Sequence, residues 1–221
     1  HHGTPEDLLT YSARVIGKGS GMPQVFNDEA VIPALMRVGI PEEEARNYAI
    51  VGCVELSTHG NNLGWSDAAM FNMVKALELT LTGGRCLVDD APLGPASASL
   101  ADFSSFADLE AAFAKRIDHF LERCIRCCDV VDRLHGEVLP SPLLSSVIDD
   151  CIENGQDVTR GGARFNLSGI QAIQPANIAD SLSAIKQLVF EEGSVGKEEL
   201  VQAMRDNFVG HEVLRQRLLN K

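Results

Sequence analysis

Ile50-Val51-Gly52-Cys53-Val54-Glu55-Leu56, followed at some distance by Gly64-Trp65-Ser66-Asp67, is the stretch around which the 221-residue chain is read. Alternate side chains of an extended segment share a face. The spacing therefore predicts Cys53 and Glu55 pointing one way and Val54 the other, a thiol and a carboxylate presented together. The flanks suit a displayed loop: Gly52 and Gly60 admit backbone geometry that other residues resist, and Asn61 and Asn62 are turn formers. By spacing alone the plainer reading is favoured, with Cys53 a small buried hydrophobe and Glu55 a surface charge.

A chain of this length buries a sizeable core as one domain, and a hydrophobic content of 45% is ordinary for a globular protein. Its 31 acidic against 19 basic residues leave a net charge of -12, which repels nucleic-acid backbones and anionic membranes. No apolar run approaches the roughly 20 residues that span a bilayer. His1-His2-Gly3-Thr4 has neither the basic nor the apolar part of a signal peptide, so the expected location is cytoplasmic. Six cysteines in a chain this long do not form a small secreted disulfide framework, and reduced thiols are expected.

Along the chain, Thr4 is placed to cap a helix that Pro5 opens, with Leu8, Leu9, Tyr11, Val15 and Ile16 as its apolar face. Gly17 to Gly21 reads as a connector and Met22 to Phe26 as a short strand. Helices are expected from about Asp28 and from Pro41. Ser66 or Asp67 is placed to cap a helix to Gly83-Gly84, on the repeat of Met70, Val74, Leu77 and Leu81, so Asp67 has a structural role open to it beside a site role. Residues 86–101 read as loop. The longest helix is expected over 105–134, with Phe106, Leu109, Phe113, Ile117, Phe120, Cys124, Cys128, Val131 and Leu134 as one stripe. That stripe assigns Cys124 and Cys128 to packing and Cys127 to the surface rather than to a metal site. A further helix runs from Ser141-Pro142 to Asn154-Gly155, a strand lies within 163–173, and helices follow from Asn177 or Asp180, from Lys197 and from His211.

Several motifs recur in register. Gly52-Cys53-Val54-Glu55 stands with Gly19-Ser20-Gly21-Met22-Pro23, Asn27-Asp28-Glu29, Glu44-Ala45-Arg46-Asn47-Tyr48, Gly162-Ala163-Arg164-Phe165-Asn166 and Ser168-Gly169-Ile170-Gln171. In that order they resemble the glycyl radical enzymes, the pyruvate formate-lyase-like superfamily, above all its dehydratase and lyase branch, across essentially the whole chain. The resemblance implies an α/β fold: part of a β/α barrel, mostly helical here, with the cysteine loop inside.

It also implies the chemistry. A glycyl radical on another segment takes the hydrogen atom of the Cys53 thiol, and the thiyl radical takes one from a substrate carbon. A hydrogen-atom carrier must stay a neutral thiol, so no basic residue is expected beside Cys53. Glu55 is the implied general base; in a closed, poorly solvated cavity a carboxylate suits removal of a hydroxyl proton near neutral pH. Asp67 matches the aspartate that dehydratases place near the leaving hydroxyl. No diffusible cofactor is implied, and the expected partners are a small hydroxylated or amine-bearing substrate, an activating enzyme using S-adenosylmethionine and an iron–sulfur cluster, and a second copy of the protein.

Departures narrow the carry-over. Val54 stands where pyruvate formate-lyase has a second cysteine, which argues against formate acetyltransferase activity. Leu56 and Ser66 stand where relatives often carry proline and histidine. The family's radical-glycine motif is absent, so the chain reads as an internal piece of a longer enzyme, inactive by itself. An acyltransferase-like or arylacetate-decarboxylase-like enzyme, and a non-catalytic helical module, remain as rivals.

Overall fold

The computed structural model describes residues 3–220; His1 and His2, and Lys221 of the expected terminal helix, lie outside the described residues. Two units divide the chain, His1–Ser66 with His135–Leu167 and Asp67–Leu134 with Ser168–Lys221.

In the first unit Pro5, not Thr4, is the N-cap residue of α1 (Glu6–Val15), which has no buried residue: Leu8, Leu9 and Tyr11 are exposed. The apolar pattern is real, but among the described residues it is not buried. Ile16–Ser20 forms a wide turn in which Gly19 has a positive φ, as a connector requires. Residues 22–26 form no strand. Asn27 caps α2 (Asp28–Arg37) by accepting the Glu29 N–H at 3.1 Å, and Pro33 sits within the helix without ending it. Then come α3 (Glu42–Ala45) and the hairpin of β1 (Ala49–Val51) and β2 (Glu55–Ser57). Ile32, Leu35, Ile40 and Ala45 form the core beneath them, with Tyr48, Leu56, Phe165 and Leu167 packed on it.

The expected helix from Ser66 or Asp67 is not formed. Asn62–Asn72 is a strand, β3, and the helix α4 (Met73–Leu81) begins only where Asn72 accepts the Lys75 N–H at 2.9 Å. Local capping chemistry at Asn72 outweighs the apolar repeat that extended the expectation backwards. β3 pairs with β4 (Phe165–Ile173), the strand expected within 163–173.

α5 (Phe106–Val138), in the second unit as far as Leu134, runs past its expected end, and its stripe is buried only in part. Leu109, Phe113 and Cys128 are covered, whereas Val131 and Leu134 are 41% and 46% exposed. Cys127 is exposed and Cys124 half-buried. The helix expected from Ser141 is one turn, α6 (Pro142–Ser145), in the first unit. α7 (Pro175–Ile185), a wide turn at Lys186–Glu191, α8 (Lys197–Arg205) and α9 (Glu212–Leu219) complete the chain. Ala76, Leu77, Leu109, Phe113, Ile185, Leu188 and Leu200 are the centre of this core. Arg116, 4% exposed, orders the loop after α4 by donating to the carbonyls of Pro95 (2.8 Å) and Leu79 (3.5 Å) and to Ser97 Oγ (2.6 Å); burial pushes its pKa down.

Candidate active site

β1 and β2 pair antiparallel, Ala49 with Ser57, Ile50 with Leu56 and Val51 with Glu55, so Gly52, Cys53 and Val54 form the connecting turn. Cys53 therefore does not alternate with Glu55 along a strand. It lies exposed at the tip of the hairpin, and a different device brings the pair together. The half-buried Glu55 side chain curls back over the turn, where Oε2 accepts the N–H of Cys53 at 2.7 Å and of Val54 at 2.9 Å. Two turn N–H groups that a hairpin leaves unpaired are thereby satisfied by one carboxylate.

Gly52 is required twice over. Its φ is +63°, and a Cβ there would stand 2.8 Å from Glu55 Oε2. β-branched Ile50 and Val51 suit the strand that leads in.

The exit of β2 is anchored by groups far apart in sequence. The Thr58 hydroxyl donates to Asn61 Oδ1 at 2.6 Å, and the Asn61 amide donates to Glu44 of α3. Glu44 faces Arg164 at 3.6 Å, and Arg164 forks onto Asp150 with Nε at 3.1 Å and Nη2 at 2.9 Å. Asp150 holds the Arg164 pKa up, and Arg164 holds the Asp150 carboxyl below its usual range. Backbone bonds complete the anchor, from the Phe165 N–H to the Asn61 carbonyl (2.9 Å) and from the Asp149 N–H to the Gly60 carbonyl (2.7 Å). Sequence reasoning treats Asn61 as a turn former and Glu44 as a first-turn acid of its helix, and gives neither Glu44 nor Arg164 a part in the anchor, although both lie in motifs that carry the resemblance.

Two other motifs join in the same unit. The Tyr48 hydroxyl donates to Asp28 Oδ1 at 2.8 Å, which raises the tyrosine's pKa. Asn166 braces the turn before β4 by donating to the Ala163 carbonyl at 2.8 Å, and Gly162 leaves room there for the Gln156 carbonyl, which a Cβ would strike. His135 packs on Trp65 with ring centroids 4.8 Å apart. Asp67 is an exposed residue of β3 and caps no helix, so the structural role open to it in the sequence falls away. Among the described residues no three His, Cys, Asp or Glu side chains are grouped to hold a metal ion.

A family model described as pyruvate formate lyase-like matches residues 1–221. The chain is 40% identical over 214 residues to (2S)-3-sulfopropanediol dehydratase of Klebsiella oxytoca, covering 97% of this chain and 26% of that protein. It is 34% identical over 218 residues to trans-4-hydroxy-L-proline dehydratase of Clostridioides difficile, covering 99% and 28%. The glycerol-bound B12-independent glycerol dehydratase of Clostridium butyricum superposes with a TM-score of 0.81 at 34% identity, over 97% of this chain and 27% of that one. The chain thus spans about a quarter of the length of the relatives it matches, and the likeness bears out the expected fold, a mostly helical part of an α/β barrel.

Proposed function

The chain belongs to the pyruvate formate lyase-like family, and on that premise we propose that it supplies the thiol loop of a radical dehydratase or lyase acting on a small hydroxylated or amine-bearing compound. The observation that carries this reading is the Glu55 carboxylate held on the backbone of the Cys53 turn. A thiol at a hairpin tip with a carboxylate fixed beside its own N–H matches what radical elimination asks of two groups.

Cys53 enters as a thiyl radical. The S–H bond forms as a substrate C–H bond breaks, leaving a carbon radical beside a hydroxyl. Glu55 takes that hydroxyl proton, and the resulting radical anion expels the neighbouring group with its bonding electrons. When the group is hydroxide, a proton makes it water; resemblance assigns that proton to Asp67. The product radical recovers a hydrogen atom from Cys53, so the thiyl is regenerated. Positioning dominates such chemistry, because a radical that strays reacts with whatever it meets. A carboxylate tied to two N–H groups has little freedom to stray.

The radical glycine on another segment, an activating enzyme that uses S-adenosylmethionine and an iron–sulfur cluster, and a homodimeric assembly belong to the same proposal and rest on the family resemblance. Glycerol, trans-4-hydroxy-L-proline and (2S)-3-sulfopropanediol, named for the relatives, form the first substrate panel. With the full-length protein after radical installation, we expect water elimination from a member of the panel. Formate or carbon dioxide release from acyl or arylacetate substrates, without any elimination, would replace this reading with carbon–carbon cleavage.

A further inference from the structure

An amine and a thiol that the proposed reaction does not use stand in contact within the second unit. Lys75 Nζ, on α4, donates to Cys86 Sγ at 3.6 Å, although the two residues are 11 positions apart. Both groups are held there. Glu78, further along α4, accepts from Nζ at 2.6 and 2.7 Å, and its Oε1 also accepts the Leu87 N–H at 2.9 Å. One carboxylate thus ties the amine to the backbone beside Cys86. The Cys86 N–H donates to the Ala91 carbonyl at 2.9 Å, and its thiol hydrogen-bonds the Asp89 carboxylate.

Cys86 is therefore 7% exposed and yet set among charges, the Lys75 ammonium on one side and the Asp89 carboxylate on another. Structural cysteines sit among apolar groups, and chemically competent ones sit among charged side chains.

An apolar space opens beside the pair. Val74, Glu78 and Leu87, the immediate neighbours of Lys75 and Cys86, line a pocket of about 510 Å³ whose other walls include Leu77, Leu81 and Ile185. Apolar cavities take up small apolar guests, and dioxygen is one. The pocket brings such a guest to the edge of the Lys75–Glu78 ion pair.

We propose that Lys75 and Cys86 are an oxygen-responsive modification site, at which dioxygen couples the two side chains through a single oxygen atom, Nζ–O–Sγ. In that step the N–O and O–S bonds form as O–O, S–H and N–H bonds break. Ammonium, thiol and dioxygen give the bridge, one water and one proton, and Glu78 is the base that receives the proton. Nitrogen and sulfur are each oxidised by two electrons; dioxygen is reduced, one of its atoms ending in the bridge and the other in water. The flexible lysine stem closes the remaining gap. The bridge ties α4 to the loop that follows it, and an excess of dithiothreitol returns the electrons and restores amine and thiol. Neither Cys53 nor an installed radical takes part.

Full-length Cys53→Ala protein, prepared without dioxygen, is divided, and one half is held in air-saturated buffer. Both halves are digested with trypsin in the absence of reductant and analysed by high-resolution mass spectrometry. Trypsin cuts after Arg85, between the two residues, so their fragments stay together only when bonded. The Cys53→Ala change removes the other thiol from the fragment that carries Lys75. We expect the fragments joined with the gain of one oxygen and the loss of two hydrogens, at least tenfold more abundant in the aerated half and released by dithiothreitol. Lys75→Arg, which keeps the charge, and Cys86→Ser, which keeps the size, each lower that product at least tenfold. Fragments joined without the oxygen, Cys86 oxidised with Lys75 free, a product that survives Lys75→Arg, or no difference between the two halves each overturns the proposal.

Discussion

Glu55 Oε2 accepts the Cys53 N–H at 2.7 Å, so the carboxylate is fixed to the residue whose sulfur it is proposed to assist. This makes Glu55 both a fold element and a proposed base, and the two contributions separate by substitution. Glu55→Gln keeps an acceptor for the turn but cannot take a proton. We expect a melting temperature close to wild type and turnover reduced by about 10²–10⁴. Glu55→Ala loses the acceptor as well and costs about 1 kcal/mol of stability besides. Equal melting losses in both variants would mean that the carboxylate is only structural.

Gly52→Ala tests the turn from the other side. Positive φ alone costs about 1 kcal/mol for a residue with a Cβ, and that Cβ meets the Glu55 carboxylate at 2.8 Å. The expected outcome is a lower melting temperature and a drop in kcat larger than any change in KM, because the displaced group is the base and not a binding contact. Steady-state kinetics on the activated full-length protein check it.

Asp157 gives the acid limit of the first unit. Burial pushes its carboxyl up, but hydrogen bonds from the Thr159 hydroxyl and N–H, the Ser141 N–H and the Ser145 hydroxyl outweigh that and bring it from 3.8 down to about 2. A group with a depressed folded pKa stabilises fully above its unfolded value and loses that contribution as pH falls through the folded one. Stability should therefore fall between about pH 4 and pH 2. Asp157→Asn should cost about 1 kcal/mol at neutral pH and flatten that acid slope, as urea midpoints across the range will show.

Arg116→Ala should be among the most damaging single changes in the second unit. It strands the carbonyl of Pro95, removes the contacts to Ser97 and to the Leu79 carbonyl, which keeps the Gly84 N–H, and opens a void, for a loss of about 2–4 kcal/mol. Arg116→Lys recovers little, because one ammonium cannot reproduce the fork. Denaturant melts of both variants test this.

Much of the fold was legible locally. The helix starts expected near Asp28, at Pro41 and at Ser141-Pro142 are found there, α7 opens at Pro175, ahead of the expected Asn177 or Asp180, and the long apolar stripe of α5 gave its extent to within a turn at the far end. Cys53 and Glu55 were legible as a pair, but for an incomplete reason: alternation along a strand was expected, and a carboxylate folded over a turn was found. β3 was misread because Met70, Val74, Leu77 and Leu81 continue one helical repeat across a strand–helix boundary that Asn72 alone marks. The Glu44–Asn61 and Glu44–Arg164 contacts join residues 17 and 120 positions apart, and nothing in a single sequence pairs them. The exposed face of α1 shows the converse, a legible amphipathic pattern with no burial in its own unit.

The central claim is that the sulfur of Cys53 carries the hydrogen atom, and replacing it is the most direct test. Full-length Cys53→Ala protein is treated with its activating enzyme, the glycyl radical is quantified by electron paramagnetic resonance, and turnover is then assayed on the substrate panel. The account predicts a radical signal equal to wild type with turnover abolished. Elimination at an appreciable fraction of the wild-type rate, with the thiol gone, would contradict it.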